Sequence, residues 1–310
     1  MRGELRIGSR GSALAVAQAE IVRGRIACAF PGLSISHHII STVGDRSVSL
    51  PLHRISSVGL FVKEIEEALL DEEIDLAIHS LKDMPIAIPE GLTIASVLER
   101  GDVRDALVSG GSTLESLQPG ATIGTSSLRR EGQIRKIRPD LEVMNIRGNI
   151  DTRLEKLDRG EYDAIVLAAC GLDRIGLSAR ISERIQTEIM LPAACQGILA
   201  LETRANDETS VKIAVEVGNT EALLQAETER AFISRIEGGC RVPVGCVSSV
   251  EPGRVSIEAL IASIDGQSVV RSRISGPIDE RLTLSRGLAE ELLAKGGDKI
   301  LDAARTGPTS

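Results

Sequence analysis

The chain has 310 residues, of which 42% are hydrophobic and 26% charged, a composition typical of a globular protein with two or three domains. Its formal net charge is −8, and its aromatic residues are one tyrosine and three phenylalanines. Proteins that bind nucleic acids usually present a basic surface and stacking rings, so the composition argues against that class of partner. No apolar run reaches the length of a membrane span and no N-terminal signal region is present, which predicts a cytoplasmic protein without membrane contact.

Cysteine and histidine spacing indicates neither a disulfide framework nor a metal site. The five cysteines are odd in number and lack the CxxC spacing of zinc ligands, and the four histidines show no metal-ligand spacing either. Cys28 falls within a helical pattern, and we expect it in the core. The cysteines stand at positions 28, 170, 195, 240 and 246.

The first hundred residues alternate between strand and helix patterns, beginning with a short strand at 5–7. Apolar residues at helical spacing predict a helix over 13–30, and Ser12 is a good candidate for its N-cap. Residues 43–59 are polar without a clear period, which predicts a long loop that could act as a lid. The other elements predicted here are strands at 34–42, 74–78 and 92–98 and a helix at 61–70.

A second alternating unit follows residues 99–105, which are charged and irregular and which we expect to cross between domains. Leu191–Gly197 has the character of a return crossing. Because strands and helices alternate, we predict two α/β domains with mostly parallel strands: domain 1 over 1–98 with 198–217, and domain 2 over 99–197. The strands predicted in the second unit lie at 121–124, 141–146 and 164–168.

The C-terminal part groups its strands before its helices, which is typical of a small α+β domain. A helix is predicted over 221–236 and leads into a loop that contains Cys240. We assign residues 218–310 to this third domain. Its predicted strands lie near 247–250, 254–264 and 268–274, and its later helices near 279–294 and 298–305.

Four predicted strands end in the same way, with hydroxyl residues or cations just before a helix. Ligands of open α/β sheets bind at the carboxyl ends of strands, where helix N-termini and arginine side chains both favour anions. We therefore expect these strand ends to bind a small polyanion. The residues are Arg10 and Ser12; Ser80, Lys82 and Asp83; Thr125, Ser126, Ser127, Arg129 and Arg130; and Arg147 with Arg153 later in its helix.

Basic residues concentrate between positions 129 and 153, where seven cations and four anions give a local charge of +3. Part of this cluster, namely Arg135, Lys136 and Arg138, fits a solvated helix face with ion pairs. The strand-end arginines fit that interpretation less well. No phosphate loop of the GxxxxGK[ST] kind is present, so carboxylates are at least as consistent with the cluster as phosphates.

Two residues allow both a functional and a purely structural interpretation. Asp83 is the one anion among the strand-end cations, which suits contact with a cationic or N–H-bearing part of a ligand. Alternatively, it caps a turn before Pro85. Cys240 follows two helix-ending glycines and stands beside Arg241, so it is either a reactive thiol on a loop or a small buried residue.

Together these residues resemble the hydroxymethylbilane synthase family, also called the porphobilinogen deaminase family. The resemblance spans nearly the whole chain. Each motif is moderately specific, and the occurrence of all of them in the family's order argues strongly against chance. The motifs are Arg10 with Ser12, His79–Pro85, Gly124–Arg130, Arg147–Asn149, Gly160–Ala164 and Gly238–Gly245.

The resemblance implies two periplasmic-binding-protein-like α/β domains around a cleft and a small C-terminal α+β domain that carries a cofactor. It implies a monomeric, cytoplasmic transferase of tetrapyrrole (porphyrin) biosynthesis. Such an enzyme joins four units of its substrate porphobilinogen with loss of ammonia and releases hydroxymethylbilane by hydrolysis. The cofactor implied is a dipyrromethane, bound to Cys240 through a thioether.

The family's residue roles transfer to this chain by position. Asp83 would hold the pyrrole nitrogens and stabilise positive charge as ammonia leaves. Basic residues would bind the acetate and propionate groups of substrate and cofactor, and hydroxyl residues would add hydrogen bonds. The basic set is Arg10, Lys82, Arg129, Arg130, Arg147, Arg153 and Arg174, and the hydroxyl set is Ser12, Ser80, Thr125, Ser126 and Ser127.

Three positions depart from the family pattern. The family's Gly-Gly-Lys-Gly-Leu-Phe run corresponds to Ser56–Phe61 here, so a lysine and two glycines are missing. Cys195 stands where glycine is common, and Val103 where proline is common. Two other classes compete with the synthase: a non-catalytic two-lobed binding protein for a small polycarboxylate, and a metal or redox protein that uses Cys240 and Cys246.

Overall fold

The computed structural model describes residues 3–42, 62–236 and 242–306. The predicted lid over 43–59 and the predicted cofactor residue Cys240 therefore lie outside the described residues. Within the described ranges, no helix combines the length and the apolar character that a membrane span requires. No group of histidine, cysteine and acidic residues in those ranges has the arrangement of a metal site.

The chain divides into two compact units. The first comprises Met1–Gly101 and Gly197–Leu223, and the second comprises Asp102–Gln196 and Leu224–Ser310. The chain thus leaves the first unit after Gly101, returns to it at Gly197 and leaves it again after Leu223.

The first unit is built on β1 (Glu4–Ser9), β2 (Ser34–Ile39), β3 (Leu76–Ser80), β4 (Leu92–Val97) and β10 (Leu199–Arg204). These strands form one sheet in the order β2-β1-β3-β10-β4. The strands β1, β2 and β3 are parallel, whereas β10 runs antiparallel to both of its neighbours. The helices of this unit are α1 (Ala13–Ala29), α2 (Lys63–Leu70) and α6 (Glu208–Glu216).

The second unit contains a sheet of β5 (Asp105–Val108), β6 (Thr122–Gly124), β7 (Glu142–Met144), β8 (Ala164–Ala168) and β9 (Glu183–Ile185). Its order is β7-β6-β8-β5-β9, with β6, β7 and β8 parallel and β5 antiparallel to its neighbours. The two sheets therefore share one strand pattern. The helices beside this sheet are α3 (Leu128–Ile137), α4 (Ile150–Asp158) and α5 (Ala169–Arg174).

The C-terminal part of the second unit has its own antiparallel sheet of β11 (Val244–Glu251), β12 (Arg254–Ala262) and β13 (Val269–Pro277). The fold prediction is confirmed: two α/β sheets and a small α+β part. Phe232, Ile257 and Leu292 are fully buried in the core between this sheet and its helices. Those helices are α7 (Thr220–Ile236), α8 (Arg281–Leu292) and α9 (Asp298–Thr306).

Two expectations from the sequence need correction. The irregular segment predicted over 99–105 ends one residue earlier, because β5 begins at Asp105. The strand has only four residues and opens on a charge, so it lacks a recognisable period. Cys28 is exposed rather than in the core. It lies two positions after the buried Ile26 on α1, which places it on another face of the helix.

Candidate functional site

In the first unit, parallel pairing brings the turns after β1 and β3 to one edge of the sheet. Ile7 pairs with Leu76 and Gly8 with Ala77, so the two strands end side by side. Arg10, in the first turn, is half-buried. Ser12 is the N-cap of α1, as predicted, since its Oγ accepts a hydrogen bond from the Ala15 N–H at 3.3 Å. The Ser12 hydroxyl therefore caps the N-terminus of α1.

The turn after β3 is fixed from both sides of the sheet. Ser80 Oγ accepts a hydrogen bond from Gln18 Nε2 of α1 at 3.1 Å. On β3 itself, His79 Nε2 lies 2.9 Å from Glu202 Oε2 of β10, and both side chains are buried. The Leu81 N–H donates to the Ile198 carbonyl at 3.0 Å. These contacts hold the base of the turn that presents Lys82 and Asp83.

Asp83 ends a single 3₁₀ turn, Leu81–Asp83, and its side chain is exposed. Within the described parts of the chain, its carboxylate makes no hydrogen bond or ion pair. It therefore does not cap the turn before Pro85, which was the structural alternative. Lys82, its neighbour in the same turn, is half-buried. The fold thus places a carboxylate at the sheet edge and leaves it available to a ligand.

In the second unit, the hydroxyl residues after β6 build the entry to α3. The Thr125 side chain is buried, and its Oγ1 accepts a hydrogen bond from the Ser127 N–H at 3.2 Å. Ser127 is the N-cap of α3 and accepts from the Arg130 N–H. Ser126 is exposed, and its Oγ donates to Asn145 Oδ1 at 2.6 Å. All three hydroxyls are thus engaged within their own sheet edge.

Arg129 and Arg130 are buried, and they share one carboxylate. Arg129 Nη1 donates to Asp105 Oδ2 at 2.6 Å, and Arg130 Nη2 donates to Asp105 Oδ1 at 2.8 Å. Gln196 Nε2 adds a third donor to the same carboxylate at 3.0 Å. Burial opposes ionisation of Asp105, but the two guanidinium groups outweigh it and hold its pKa well below the ordinary 3.8.

This pairing alters the prediction for both arginines. The sequence suggested two strand-end cations that bind a ligand, whereas the structure gives both of them a buried protein partner, Asp105. Two positive charges against one negative charge leave the cluster at +1. An uncompensated buried charge attracts an anion strongly. We therefore interpret the pair as a fixed source of positive potential at this sheet edge.

The remaining predicted cations of this unit lie on neighbouring turns. Arg147 is half-buried and follows β7, and Arg153 Nε donates to the Gly148 carbonyl at 2.8 Å. Gly148 has φ +111°, and a Cβ there would lie 2.7 Å from Thr152, so the turn requires glycine. Arg174 ends α5 after β8. Burial lowers the pKa of its guanidinium, partly offset by Cys170 and Asp173.

Arg138 does not lie on a solvated helix face. Its Nη1 donates to the Leu114 carbonyl at 2.6 Å, and its Nη2 donates to the Leu117 carbonyl and to Asp140. It is therefore a structural residue that holds the 114–117 segment to the end of α3. Arg135, by contrast, forms the expected helical ion pair with Glu131.

Several residues that shape these edges were not found from the sequence. Asp105 and Gln196 hold the arginine pair, and Gln18 and Glu202 hold the turn of Asp83. A charged residue directly after an apolar run in a strand, such as Glu202 after Leu199–Leu201 of β10, is a signal that could have found one of them. The partners of the others depend on contacts distant in sequence.

Family models match most of the chain. Residues 5–212 match the model described as "Porphobilinogen deaminase, dipyromethane cofactor binding domain". Residues 223–294 match the model of the C-terminal domain of porphobilinogen deaminase. The two matches together span both of the compact units.

Similar curated proteins are named porphobilinogen deaminase. The protein of Desulforudis audaxviator is 44% identical over 99% of this chain and all of its own length. That of Roseiflexus castenholzii is 45% identical over 97% of this chain and 99% of its own. Among solved structures, the methionine binding protein MetQ covers 74% of this chain and 95% of its own, at 14% identity and a TM-score of 0.44.

Proposed function

The chain belongs to the porphobilinogen deaminase family, and from that premise we propose which of its residues carry out the reaction. The activity is that of a hydroxymethylbilane synthase, a transferase of tetrapyrrole biosynthesis. Porphobilinogen is the substrate. Four units condense stepwise with loss of ammonia, and hydrolysis releases the linear tetrapyrrole. The observation that carries our assignment of roles is the exposed, unpaired carboxylate of Asp83 at the sheet edge.

Asp83 is the catalytic carboxylate in this proposal. Loss of ammonia leaves positive charge spread over a pyrrole ring. A fixed carboxylate near the ring nitrogen stabilises that charge more in the transition state than in the ground state. Asp83 can do this because no described residue neutralises it, while Ser80 and His79 hold the base of its turn. Its oxygens could also accept the pyrrole N–H.

The cofactor of the family is a dipyrromethane, and we propose that it is attached to Cys240. When bound, it supplies the free pyrrole position to which substrate units are added. The described residues fit such a group, because its acetate and propionate carboxylates suit the buried +1 cluster of Arg129, Arg130 and Asp105. A purely apolar or acidic edge would not fit it.

The other basic residues bind carboxylates in this proposal, each from its own sheet edge. Arginine forks bind carboxylates with two parallel bonds, which gives both affinity and orientation. The hydroxyl residues order the helix N-termini that add positive potential beside them. The basic residues are Arg10, Lys82, Arg147, Arg153 and Arg174, and the hydroxyl residues are Ser12, Ser80, Thr125, Ser126 and Ser127.

Domain bounds and localisation are also proposals. The division into 1–98 with 198–217, 99–197 and 218–310 is supported by the separate sheets and by the separate core around Phe232. A cytoplasmic location suits a biosynthetic enzyme. The competing interpretation, a non-catalytic binding protein, gives no reason for a carboxylate left unpaired among cations.

Intact mass of the purified chain tests the attachment site. The parent protein should carry the added mass of a dipyrromethane, and Cys240→Ala should show the mass of the bare chain and no turnover. Cys28→Ala is the matched control, because Cys28 is an exposed cysteine distant in sequence from the motif. If Cys240→Ala retained the added mass, the assignment would fail, and Cys195 and Cys246 would be the next cysteines to test.

A further inference from the structure

The segment Leu191–Cys195 contacts two parts of the second unit, α3 and the C-terminal sheet with its helix α7. At its beginning, the Leu191 carbonyl accepts hydrogen bonds from Arg129 Nη1 at 2.8 Å and from Gln133 Nε2 at 3.1 Å. The Leu191 N–H in turn donates to Gln133 Oε1 at 2.8 Å. One end of the segment is therefore fixed to the helix that carries the arginine pair.

The same segment lies against the start of β11. The Cys246 N–H donates to the Pro192 carbonyl at 3.0 Å. A Cβ at Gly245 would lie 2.9 Å from the Leu191 carbonyl oxygen, so only glycine allows this approach. β11 begins just after the stretch that contains Cys240, so the segment joins the arginine pair to one flank of that stretch.

Glu229 fixes the other end of the segment. It lies on α7, is fully buried, and accepts a hydrogen bond from the Cys195 N–H through Oε2 at 2.5 Å. Its Oε1 accepts from the Ser248 N–H at 2.7 Å and from Ser248 Oγ at 2.9 Å. One carboxylate thus ties α7, β11 and the segment together.

Cys195 is held in an unusual conformation by this contact. Its φ is +61°, in the left-handed region that a side chain disfavours, which explains why glycine is common at this position. Such a conformation persists only where the surroundings determine it. The hydrogen bond to Glu229 is one such determinant, and the contact of Cys195 Sγ with the Ala226 carbonyl is another.

We propose that Glu229 is a positioning residue for cofactor attachment. It ties the middle of α7 and the middle of β11, the two elements that flank residues 237–241, to the segment that contacts the arginine pair. This proposal rests on the proposed function, in which Cys240 is the attachment site. Attachment of the first porphobilinogen forms one S–C bond, breaks the C–N bond of its aminomethyl group and passes the thiol proton to the departing ammonia. Addition of the second forms one C–C bond, breaks the second C–N bond and passes the proton of the substituted pyrrole carbon to the second ammonia. No oxidant or reductant is needed.

The rate of cofactor attachment tests the proposal. The full chain, produced in cells that make no porphobilinogen, is mixed with porphobilinogen, and the added mass is followed over time well below the melting temperature. Glu229→Gln keeps the shape of the side chain but replaces one acceptor oxygen with an NH2 group. One of the backbone N–H groups that Glu229 binds then faces a donor and has no acceptor. The proposal places the cost of this mismatch on the arrangement that attachment requires, so attachment should slow by at least about tenfold, the order of one unsatisfied buried donor. A merely structural role would lower the melting temperature and leave this rate unchanged.

Glu227→Gln is the matched control, because Glu227 lies on the same helix, is only half-buried and pairs with Arg281. Equal attachment rates in the two variants would overturn the proposal. If Glu229→Gln does not fold, Ser248→Ala decides: slower attachment supports the proposal, and the parental rate overturns it. Added mass on Cys240→Ala would instead show that the proposed attachment site is wrong, whatever Glu229 does.

Discussion

Asp83 and Asp105 lie at strand ends in two sheets of the same strand order, yet their side chains have opposite environments. Asp105 is fully buried, and two guanidinium groups and an amide surround it. Asp83 is exposed, and no described residue binds its carboxylate. A carboxylate that the fold neutralises is part of the structure, whereas one that the fold leaves unpaired is available for chemistry.

The neighbouring contacts of the two residues also differ, because those of Asp105 include its carboxylate and those of Asp83 do not. Asp105 takes part in the structure directly, because its partners Arg129 and Arg130 also bind the carbonyls of Leu191 and Val166. The contacts near Asp83 hold the turn and not the carboxylate: Ser80 binds Gln18, and Leu81 binds Ile198. The comparison therefore predicts that substitution of Asp105 affects stability first, and substitution of Asp83 affects turnover first.

The largest effect on stability should come from Asp105→Asn. Removal of this charge leaves two buried guanidinium groups with an uncharged partner, and breaking a buried ion pair costs about 3–5 kcal/mol of the free energy of unfolding. Denaturant titration measures this loss. Asp140→Asn is the control, since Asp140 pairs with Arg138 at an exposed position. Similar losses in both variants would remove the distinction between buried and exposed carboxylates.

The pH dependence of stability tests the structural role of Asp105 further. The pKa of Asp105 is lower in the folded chain than its ordinary value of 3.8, so its contribution is fully present above that value. It is lost as the pH falls from about 3.8 toward the lower folded pKa. The difference in unfolding free energy between parent and Asp105→Asn should therefore be constant near neutrality and shrink in acid. A difference that grew in acid would contradict the assigned sign.

A smaller effect, on turnover alone, should follow from Arg147→Ala. If Arg147 binds a substrate carboxylate, the lost charge-assisted bond corresponds to about a tenfold to hundredfold decrease in kcat/KM. Arg159→Ala is the control, because Arg159 is an exposed arginine that pairs with Glu161. Steady-state assays with porphobilinogen compare them. Equal decreases would mean that the sheet edge of Arg147 was misidentified.

Local patterns were sufficient to predict most of the fold. The helix at 221–236 and the strand at 164–168 have clear periods, and they lie where predicted within a residue. The strands β5 and β9 were missed because each has only three or four residues and a charged first residue. The pairing of β5 with β8 and of β9 with β5, which no local pattern reveals, is what makes them strands.

The site was predicted in its residue types but not in their partners. The strand-end motif located Ser12 and Ser127 correctly at helix N-caps. Asp83 lies at a strand end as predicted, but its 3₁₀ turn leads to β4 and not into an α-helix. It could not show that Arg129 and Arg130 are buried, because their partner Asp105 lies more than twenty residues away in a strand that had been missed. Charge pairing across a sheet depends on topology, which composition and spacing do not contain.

The most direct test of the account is the turnover of Asp83→Asn, measured on protein whose cofactor content has been verified by intact mass. Asparagine keeps the size of the side chain, removes its charge and replaces one acceptor oxygen with an amide donor. We predict that kcat falls by at least ~100-fold, the order for an electrostatic or acid–base group. The free energy of unfolding should stay within about 0.5 kcal/mol of the parent, as for an exposed residue without partners. A rate within a few-fold of the parent would contradict the claim that this unpaired carboxylate performs the chemistry.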